Sequence, residues 1–250
     1  MNSLVVWAQA AFAESLVSVV VHGSLGWGCW GPSSDIDALL VVDERAGLME
    51  FHEMLVAGDG QAPGNGFEIS VLSRAAARSS QHPIDYLYHF SRGRLARESP
   101  QDWDLCVVER DPDLAGHLLV AWTTGVCAFG LPAKQVLRRV SDEEFSASVR
   151  ADVLGSCAEV FALAEEEVPV PVYAVLNFAR TLAWLQERAV LSKRAGGHWL
   201  MERDRNRTAL LTAALEEYAD PCGRLVLRAD LRSLARAVGE HLATDESSTA

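Results

Sequence analysis

The sequence has little of what marks membrane, secreted or zinc-binding proteins. No segment reaches the roughly 18 consecutive apolar residues of a membrane-spanning helix, so we expect no membrane contact. The five cysteines are scattered and odd in number, without the CxxC spacing of a zinc-ligand pair. The N-terminus lacks the basic residues of a secretory signal. Together these absences predict a cytoplasmic protein with reduced thiols.

Positive charge is also scarce. The net charge is −12, and only two of the 22 basic residues are lysines, Lys134 and Lys193. Residues 1–130 carry 16 acidic against 7 basic residues. A nucleic-acid-binding protein usually presents a basic face to the phosphates, so we expect no nucleic-acid partner. An acidic surface attracts a small cationic substrate, although solubility alone would explain this charge equally well.

The order of predicted elements changes once along the chain. The predicted strands are 16–22, 35–42, 67–72 and 105–109, and a helix is predicted over 113–129. Beyond residue 130 the apolar patterns are helical only, and Ser141 begins a capping box. We therefore expect an α+β domain with a small mixed sheet over 1–130, an all-α helical bundle over 131–243 and a disordered tail over 244–250.

Two short segments near the N-terminus point to a ligand site. The first apolar run ends in Gly23-Ser24, and the second begins with Asp35 and Asp37, whose side chains share one face of a strand. Two neighbouring carboxylates repel each other unless a cation lies between them, and they suit Mg²⁺ that carries phosphates. A glycine allows close approach of the backbone, and a serine hydroxyl can hold phosphate oxygens. The spacing predicts a nucleotide and metal site. The alternative is a hairpin around a Gly-rich turn. His22, which directly precedes Gly23, is interpreted as a structural residue.

A third carboxylate lies on the next predicted strand. Residues 67–72 alternate, so Phe67 and Ile69 would face one way and Glu68 the other. Glu68 is either a solvated edge residue or the third member of an acidic cluster beside the strand of Asp35 and Asp37. Nucleotidyl transfer needs a base for the incoming hydroxyl, which a carboxylate in this position could supply.

The segment HGSLGWGCWGPSSDIDALLVV resembles the signature of the DNA polymerase beta-like nucleotidyltransferase superfamily, and within it the aminoglycoside adenylyltransferases of the streptomycin and spectinomycin type. The likeness extends over most of residues 15–220 and includes SKRAGGHW, which begins at Ser192. It implies a polymerase beta-like nucleotidyltransferase domain before the helical bundle. It also implies Mg²⁺-dependent transfer of AMP from ATP to a hydroxyl of a cationic aminoglycoside or aminocyclitol, with two metal ions and release of pyrophosphate.

The same resemblance implies a role for individual residues. Asp35 and Asp37 match the metal ligands, and Glu68 matches the catalytic base that contacts the substrate. The residues that match nucleotide contacts are Gly23, Ser24, Ser34, Arg180, Lys193 and Tyr218, with Ser33 replacing Ser34 if the register shifts by one. The residues that match the substrate pocket are Phe161, Glu166 and Tyr173. Arg180 could instead pair with an acid.

The acceptor is the least determined part of this hypothesis. Relatives that accept streptomycin carry a tryptophan and, five residues later, an aspartate, where this chain has Phe161 and Glu166. The sequence therefore favours spectinomycin or another aminocyclitol over streptomycin. Two alternatives stay open: an adenylyltransferase that modifies a protein, and a nucleotide-binding module without catalysis. We expect a monomer.

Overall fold

The computed structural model describes the backbone of residues 2–249 and the side chains of residues 3–245. It consists of two compact units that divide between Phe145 and Ser146. The sequence placed the boundary near residue 130. The first unit extends further because the strand that ends at Gly130 belongs to its sheet, and the helix after it packs on its first strand.

The first unit combines a mixed sheet with short helices. Its strands are β1 (Leu16–Val21), β2 (Ile36–Val42), β3 (Phe67–Ser73), β4 (Ile84–Tyr86), β5 (Tyr88–Ser91), β6 (Glu109–Asp111) and β7 (Val126–Gly130). Its helices are α1 (Asn2–Phe12), α2 (Gly23–Gly26), α3 (Leu48–Gly58), α4 (Arg74–Arg78), α5 (Arg92–Arg97), α6 (Leu114–Thr124), α7 (Ala133–Val136) and the first turn of α8 (Asp142–Ala162). Short 3-10 turns lie at Ala13–Ser15, Asp59–Gln61 and Pro100–Asp102.

The main sheet has the strand order β5-β3-β2-β1-β7. β2 and β3 pair in parallel, and the other neighbours are antiparallel. β1 is buried along its whole length, as its β-branched residues predict. α3 provides the crossover that a parallel pair requires, and it buries Phe51 and Leu55 against the sheet.

One histidine lies within this core. The Nδ1 atom of His52 on α3 is 2.9 Å from the hydroxyl oxygen of Tyr88 on β5. The ring of Trp103 packs beside both. Burial lowers the pKa of His52 below its ordinary value, so the ring is neutral in the folded protein near neutral pH.

Two predictions for the end of this unit are wrong. The predicted strand at 105–109 begins only at Glu109, where β6 pairs with β4. The helix predicted over 113–129 ends at Thr124, and the next residues form β7. A side chain on Gly125 would lie 2.2 Å from the carbonyl oxygen of Ala121, and β7 supplies hydrogen-bond partners to the open edge of β1.

The second unit is mostly helical. It contains the rest of α8, then β8 (Glu167–Pro169), α9 (Val172–Glu187), α10 (Lys193–Arg203), a 3-10 turn at Arg205–Arg207, α11 (Thr208–Ala219), β9 (Leu225–Leu227) and α12 (Arg228–Thr249). α9 is the central helix and packs against α10, α11 and α12. Its side chains Phe178 and Leu182 are buried in the common core.

The bundle differs from the sequence prediction in two places. β8 and β9 form a two-stranded antiparallel sheet, so this region is not helical throughout. α12 continues to Thr249, so the structure does not show the disorder predicted for 244–250, of which Ala250 lies outside the described residues.

The predicted capping box is present: the Ser141 N–H donates to Glu144 at 2.9 Å, and the Glu144 N–H donates to the Ser141 hydroxyl oxygen at 3.3 Å. Among the helices of residues 2–249, none combines the length and apolar character that crossing a bilayer demands.

Candidate functional site

Three carboxylates lie at the start of the parallel strand pair. Asp35 directly precedes β2, Asp37 is the second residue of β2, and Glu68 is the second residue of β3. The parallel register pairs Asp37 with Glu68, so both side chains lie on the same face of the sheet. All three residues are half-buried, while Ile36 and Ile69 are buried. The structure thus places Glu68 beside Asp37, and Asp35 lies two residues before Asp37 along the chain.

A buried aspartate fixes where β3 begins. The side chain of Asp59 accepts a hydrogen bond from the Phe67 N–H at 2.9 Å and another from Arg92 Nε at 2.9 Å. Arg92 also donates to the Asp59 carbonyl oxygen at 3.0 Å. Because Phe67 opens the strand, these bonds set the register in which Glu68 faces Asp37.

The turn after β1 packs directly against Asp37. The His22 N–H donates to the Asp37 carbonyl oxygen at 3.0 Å. Gly23 has a φ of +56°, and a Cβ atom built on it would lie 2.0 Å from Asp37 Oδ2. Only glycine fits such an approach in a left-handed conformation. The turn and the carboxylate therefore form one compact structure.

The two predicted serines of this loop have different surroundings. Ser24 Oγ is buried and has no hydrogen-bond partner among the side chains and backbone that the structure describes. Since an unsatisfied buried hydroxyl costs about 1–3 kcal/mol, this atom is suited to an incoming ligand oxygen. Ser34 Oγ instead accepts the Gly31 N–H at 3.2 Å, and Ser33 contributes its carbonyl oxygen to Asn65 at 2.7 Å.

Two histidines complete the surroundings of Asp37. His22 is 2 % exposed, and burial followed by the charge of His117 lowers its pKa well below the ordinary value. His117 on α6 is also desolvated by burial, which opposes its charge. The hydrogen bond that His117 donates to Asp113 and the negative charges of Asp113, Glu68 and Asp37 outweigh that effect, and they raise the pKa of His117 to about 10. At neutral pH His117 is therefore a cation beside the carboxylates.

Sequence reasoning missed His117 and its partner Asp113. The signal was available, because the two residues are four apart on one helix face, and His117 Nε2 lies 3.4 Å from Asp113 Oδ2. A further histidine, His89 on β5, is 3.1 Å from Ser70 Oγ, and burial lowers its pKa. Its strand neighbours that of Glu68.

The chemistry of this donor set fits a divalent cation with bound phosphates. Asp35, Asp37 and Glu68 offer hard oxygen ligands on one edge of the sheet, which suit Mg²⁺. Ser24 adds a buried hydroxyl that lacks a partner among the described residues. The first unit can thus hold a metal ion, a phosphate group and a base within one short stretch of sheet.

In the second unit, a hydrogen-bonded cluster joins several predicted residues. The Tyr173 hydroxyl lies 2.9 and 3.0 Å from the two carboxylate oxygens of Asp152. Asn177 Nδ2 donates to the same carboxylate at 2.6 Å, and Arg180 Nε donates to Asn177 Oδ1 at 2.6 Å. Lys193 Nζ lies 4.5 Å from the centre of the Tyr173 ring. Asp152 and Asn177 were missed by the sequence analysis, although Asn177 is a polar residue in a buried stretch of α9.

Close packing of α9 and α10 holds part of this cluster. A Cβ atom on Gly196 would lie 2.8 Å from the Arg180 Cα atom, so glycine lets the helices approach there. Tyr218 on α11 packs, partly buried, against the hydrophobic core. Phe161, with 42 % of its surface exposed, and Glu166 flank the turn between α8 and β8.

The comparison with known proteins gives one family match over part of the chain and one structural match. Residues 135–242 match the family described as aminoglycoside adenylyltransferase, C-terminal domain. None of the curated proteins matches the sequence. The fold is similar to the crystal structure of spectinomycin adenyltransferase AAD(9) from Enterococcus faecialis with ATP and spectinomycin, with a TM-score of 0.76 and 13 % identity over 97 % of both chains.

These two matches bear on different parts of the hypothesis. The family match confirms the resemblance for the C-terminal region, which sequence motifs had indicated. The structural match, at its low identity, confirms the fold class. Only the family match, over residues 135–242, bears on the enzyme class, and its family is one of adenylyltransferases.

Proposed function

We propose that this chain, whose residues 135–242 match the aminoglycoside adenylyltransferase C-terminal domain, transfers AMP from ATP to a hydroxyl group of an aminoglycoside or aminocyclitol. The observation that carries the proposal is the parallel register that sets Glu68 beside Asp37, with Asp35 two residues earlier. The Gly23 turn against the Asp37 carboxylate and the buried Ser24 hydroxyl support it.

Asp35 and Asp37 are the proposed ligands of Mg²⁺. When bound, Mg²⁺ neutralises charge on the phosphates of ATP and orients them for displacement. Glycine at position 23 leaves room for the Asp37 carboxylate against the turn, which limits the directions in which this ligand can point. The loop after β1 would hold phosphate oxygens through Ser24 Oγ and the neighbouring backbone N–H groups.

Glu68 is the proposed general base. It accepts the proton of the acceptor hydroxyl, whose oxygen attacks the α-phosphorus of ATP. The bond from the α-phosphorus to its bridging oxygen breaks, and pyrophosphate leaves with the bonding electron pair. Glu68 is half-buried on the same sheet face as Asp37, so the proposed base and a proposed metal ligand are held by neighbouring strands.

Lys193 and Arg180 are the proposed cations for the phosphates, a role that rests on the resemblance. An ammonium group binds phosphate as a compact point charge, which suits Lys193. Asn177 orients Arg180 through its 2.6 Å hydrogen bond, which favours a fixed guanidinium direction. Tyr218 is proposed to border the nucleotide on the same basis.

The proposed acceptor is a cationic aminocyclitol, with spectinomycin favoured over streptomycin. The net charge of −12 favours a positively charged ligand. Phe161 stands where streptomycin-accepting relatives have tryptophan, while Glu166 keeps the negative charge of their aspartate. Tyr173 is the third proposed contact, and the similar solved structure is described with spectinomycin.

The test is a turnover assay with a panel of acceptors. Purified protein, ATP and Mg²⁺ are incubated with spectinomycin, streptomycin and related compounds, and pyrophosphate release and the mass of the product are measured. We expect a product heavier by one AMP group with spectinomycin, and none with the Asp37→Asn variant. ATP binding without turnover of any compound would refute the acceptor, and AMP found on a protein would favour the protein-modifying alternative.

A further inference from the structure

Asp37 has two imidazole neighbours that the proposed Mg²⁺ site does not use. His22, Asp37 and His117 each offer one ligand atom, and these atoms lie within 4.8 Å of one another. The ring centroids of His22 and His117 are 5.4 Å apart, with the rings nearly perpendicular. Two histidine nitrogens and one carboxylate oxygen thus form one cluster of candidate ligand atoms.

We propose that His22, Asp37 and His117 bind a divalent transition-metal ion of the Zn²⁺ class, at a site that shares Asp37 with the proposed Mg²⁺ site. Imidazole nitrogen is a preferred ligand of Zn²⁺ and Co²⁺, whereas Mg²⁺ prefers oxygen ligands and bound water. Two histidines and a carboxylate are a ligand set that zinc enzymes use, with the fourth position left to water or substrate.

The positions of these ligands are set by the fold. His22 follows β1 and is tied by its N–H to the Asp37 carbonyl oxygen at 3.0 Å, so the first two ligands belong to paired strands. His117 belongs to α6, which packs against the turn after His22. A site whose ligands are held in place before binding loses less entropy on taking up the ion.

The surroundings of His117 support the same inference. Asp113 lies 3.4 Å from His117 Nε2, and a carboxylate behind a histidine is the usual orienting partner of a metal-bound imidazole. His117 would give up a ring proton to solvent as the ion binds, because only the neutral imidazole can act as a metal ligand.

Sharing Asp37 has a consequence for turnover that rests on the proposed function. An ion of the Zn²⁺ class held by both histidines would draw the Asp37 carboxylate away from Mg²⁺. We therefore expect micromolar Zn²⁺ to slow AMP transfer, and excess Mg²⁺ to restore it only in part.

The decisive experiment measures metal binding without ATP or acceptor, so its result does not depend on the proposed reaction. The full chain is titrated with Co²⁺, a spectroscopic substitute for Zn²⁺, and visible absorption is recorded. We expect one Co²⁺ with the strong bands of a four- or five-coordinate site, displaced by Zn²⁺. His117→Gln should weaken the affinity by at least about tenfold, and His22→Gln likewise.

The matched control is His89→Gln, which removes a nearby histidine that is not one of the three ligands, and it should bind Co²⁺ like the unchanged protein. Equal affinity in His117→Gln and the unchanged protein would overturn the proposal, as would a weak octahedral spectrum that no histidine variant alters. Far-UV circular dichroism checks folding. Should the fully buried position of His22 not tolerate glutamine, the variant at the half-buried His117 decides the outcome alone.

Discussion

Replacing Gly23 by alanine tests the link between the turn after β1 and the candidate site. The added Cβ atom would lie 2.0 Å from Asp37 Oδ2, whereas real Cβ contacts are essentially never under 3.0 Å. The Asp37 carboxylate must therefore move by about 1 Å, which for a group in a reacting site costs roughly 100-fold in rate. The left-handed φ of +56° adds a separate loss of about 1–2 kcal/mol in the free energy of unfolding.

Gly28→Ala is the control that separates these two effects. Gly28 has a φ of +65° in the same loop, and a Cβ atom there would meet nothing within 4 Å. Both variants should lose a similar amount of stability in urea unfolding, about 1–2 kcal/mol. The rate constant for AMP transfer should fall roughly 100-fold in Gly23→Ala and stay near the unchanged value in Gly28→Ala. Equal rates in the two variants would refute the role given to the contact between Gly23 and Asp37.

Three further predictions address the base, the core and a helix end. Glu68→Gln should lower turnover by at least about 100-fold while calorimetry shows nearly unchanged ATP binding, and retained turnover would exclude Glu68 as the base. The free energy of unfolding should fall as pH drops below about 6.5, because the unfolded chain then binds a proton that buried His52 resists. His52→Asn should reduce this dependence of the unfolding free energy on pH, measured by urea titrations across the range, because asparagine does not take up the proton but can still hydrogen-bond Tyr88. An unchanged pH dependence would contradict its assignment to His52. Ser141→Ala should cost about 1 kcal/mol in urea unfolding through loss of the bond to the Glu144 N–H, and no loss would mean that this cap contributes nothing.

The sequence was most informative where a pattern has one structural meaning. β1, β2 and β3 lie within a residue or two of the predicted ranges, because β-branched runs and strict alternation indicate strands. The adjacency of Glu68 and Asp37 followed from strand order, and the parallel register is the finding that aligns them.

The sequence was least informative where pairing between distant segments decides the structure. Val126–Gly130 continues an apolar helical pattern, and only the open edge of β1 makes it a strand. β8 and β9 are three residues each and pair across most of the second unit's sequence. A local pattern cannot indicate such partners, since short strands gain their stability from the neighbour they pair with.

The candidate site shows the same division. Glycine, serine and aspartate spacing identified the loop and the carboxylates, because few alternatives explain all of them together. His117 has a local signal only in its i,i+4 partner Asp113, and its approach to His22 and Asp37 depends on the packing of α6. Asp152 has no such motif, and it meets Asn177 only through packing of helices. Lys193 was selected by resemblance, and its contact with the Tyr173 ring is new information from the structure.

The anchoring of β3 by Asp59 has a consequence for how variants of this protein fail. A strand that slips by one residue turns every side chain to the opposite face, so Glu68 would leave the side of Asp37. Loss of the bonds from Phe67 and Arg92 to Asp59 removes what opposes that slip at the strand's first residue. A chain altered there could stay folded and abundant in the cell yet be inactive. An assay of AMP transfer would detect such a lesion, while a screen for expression would miss it.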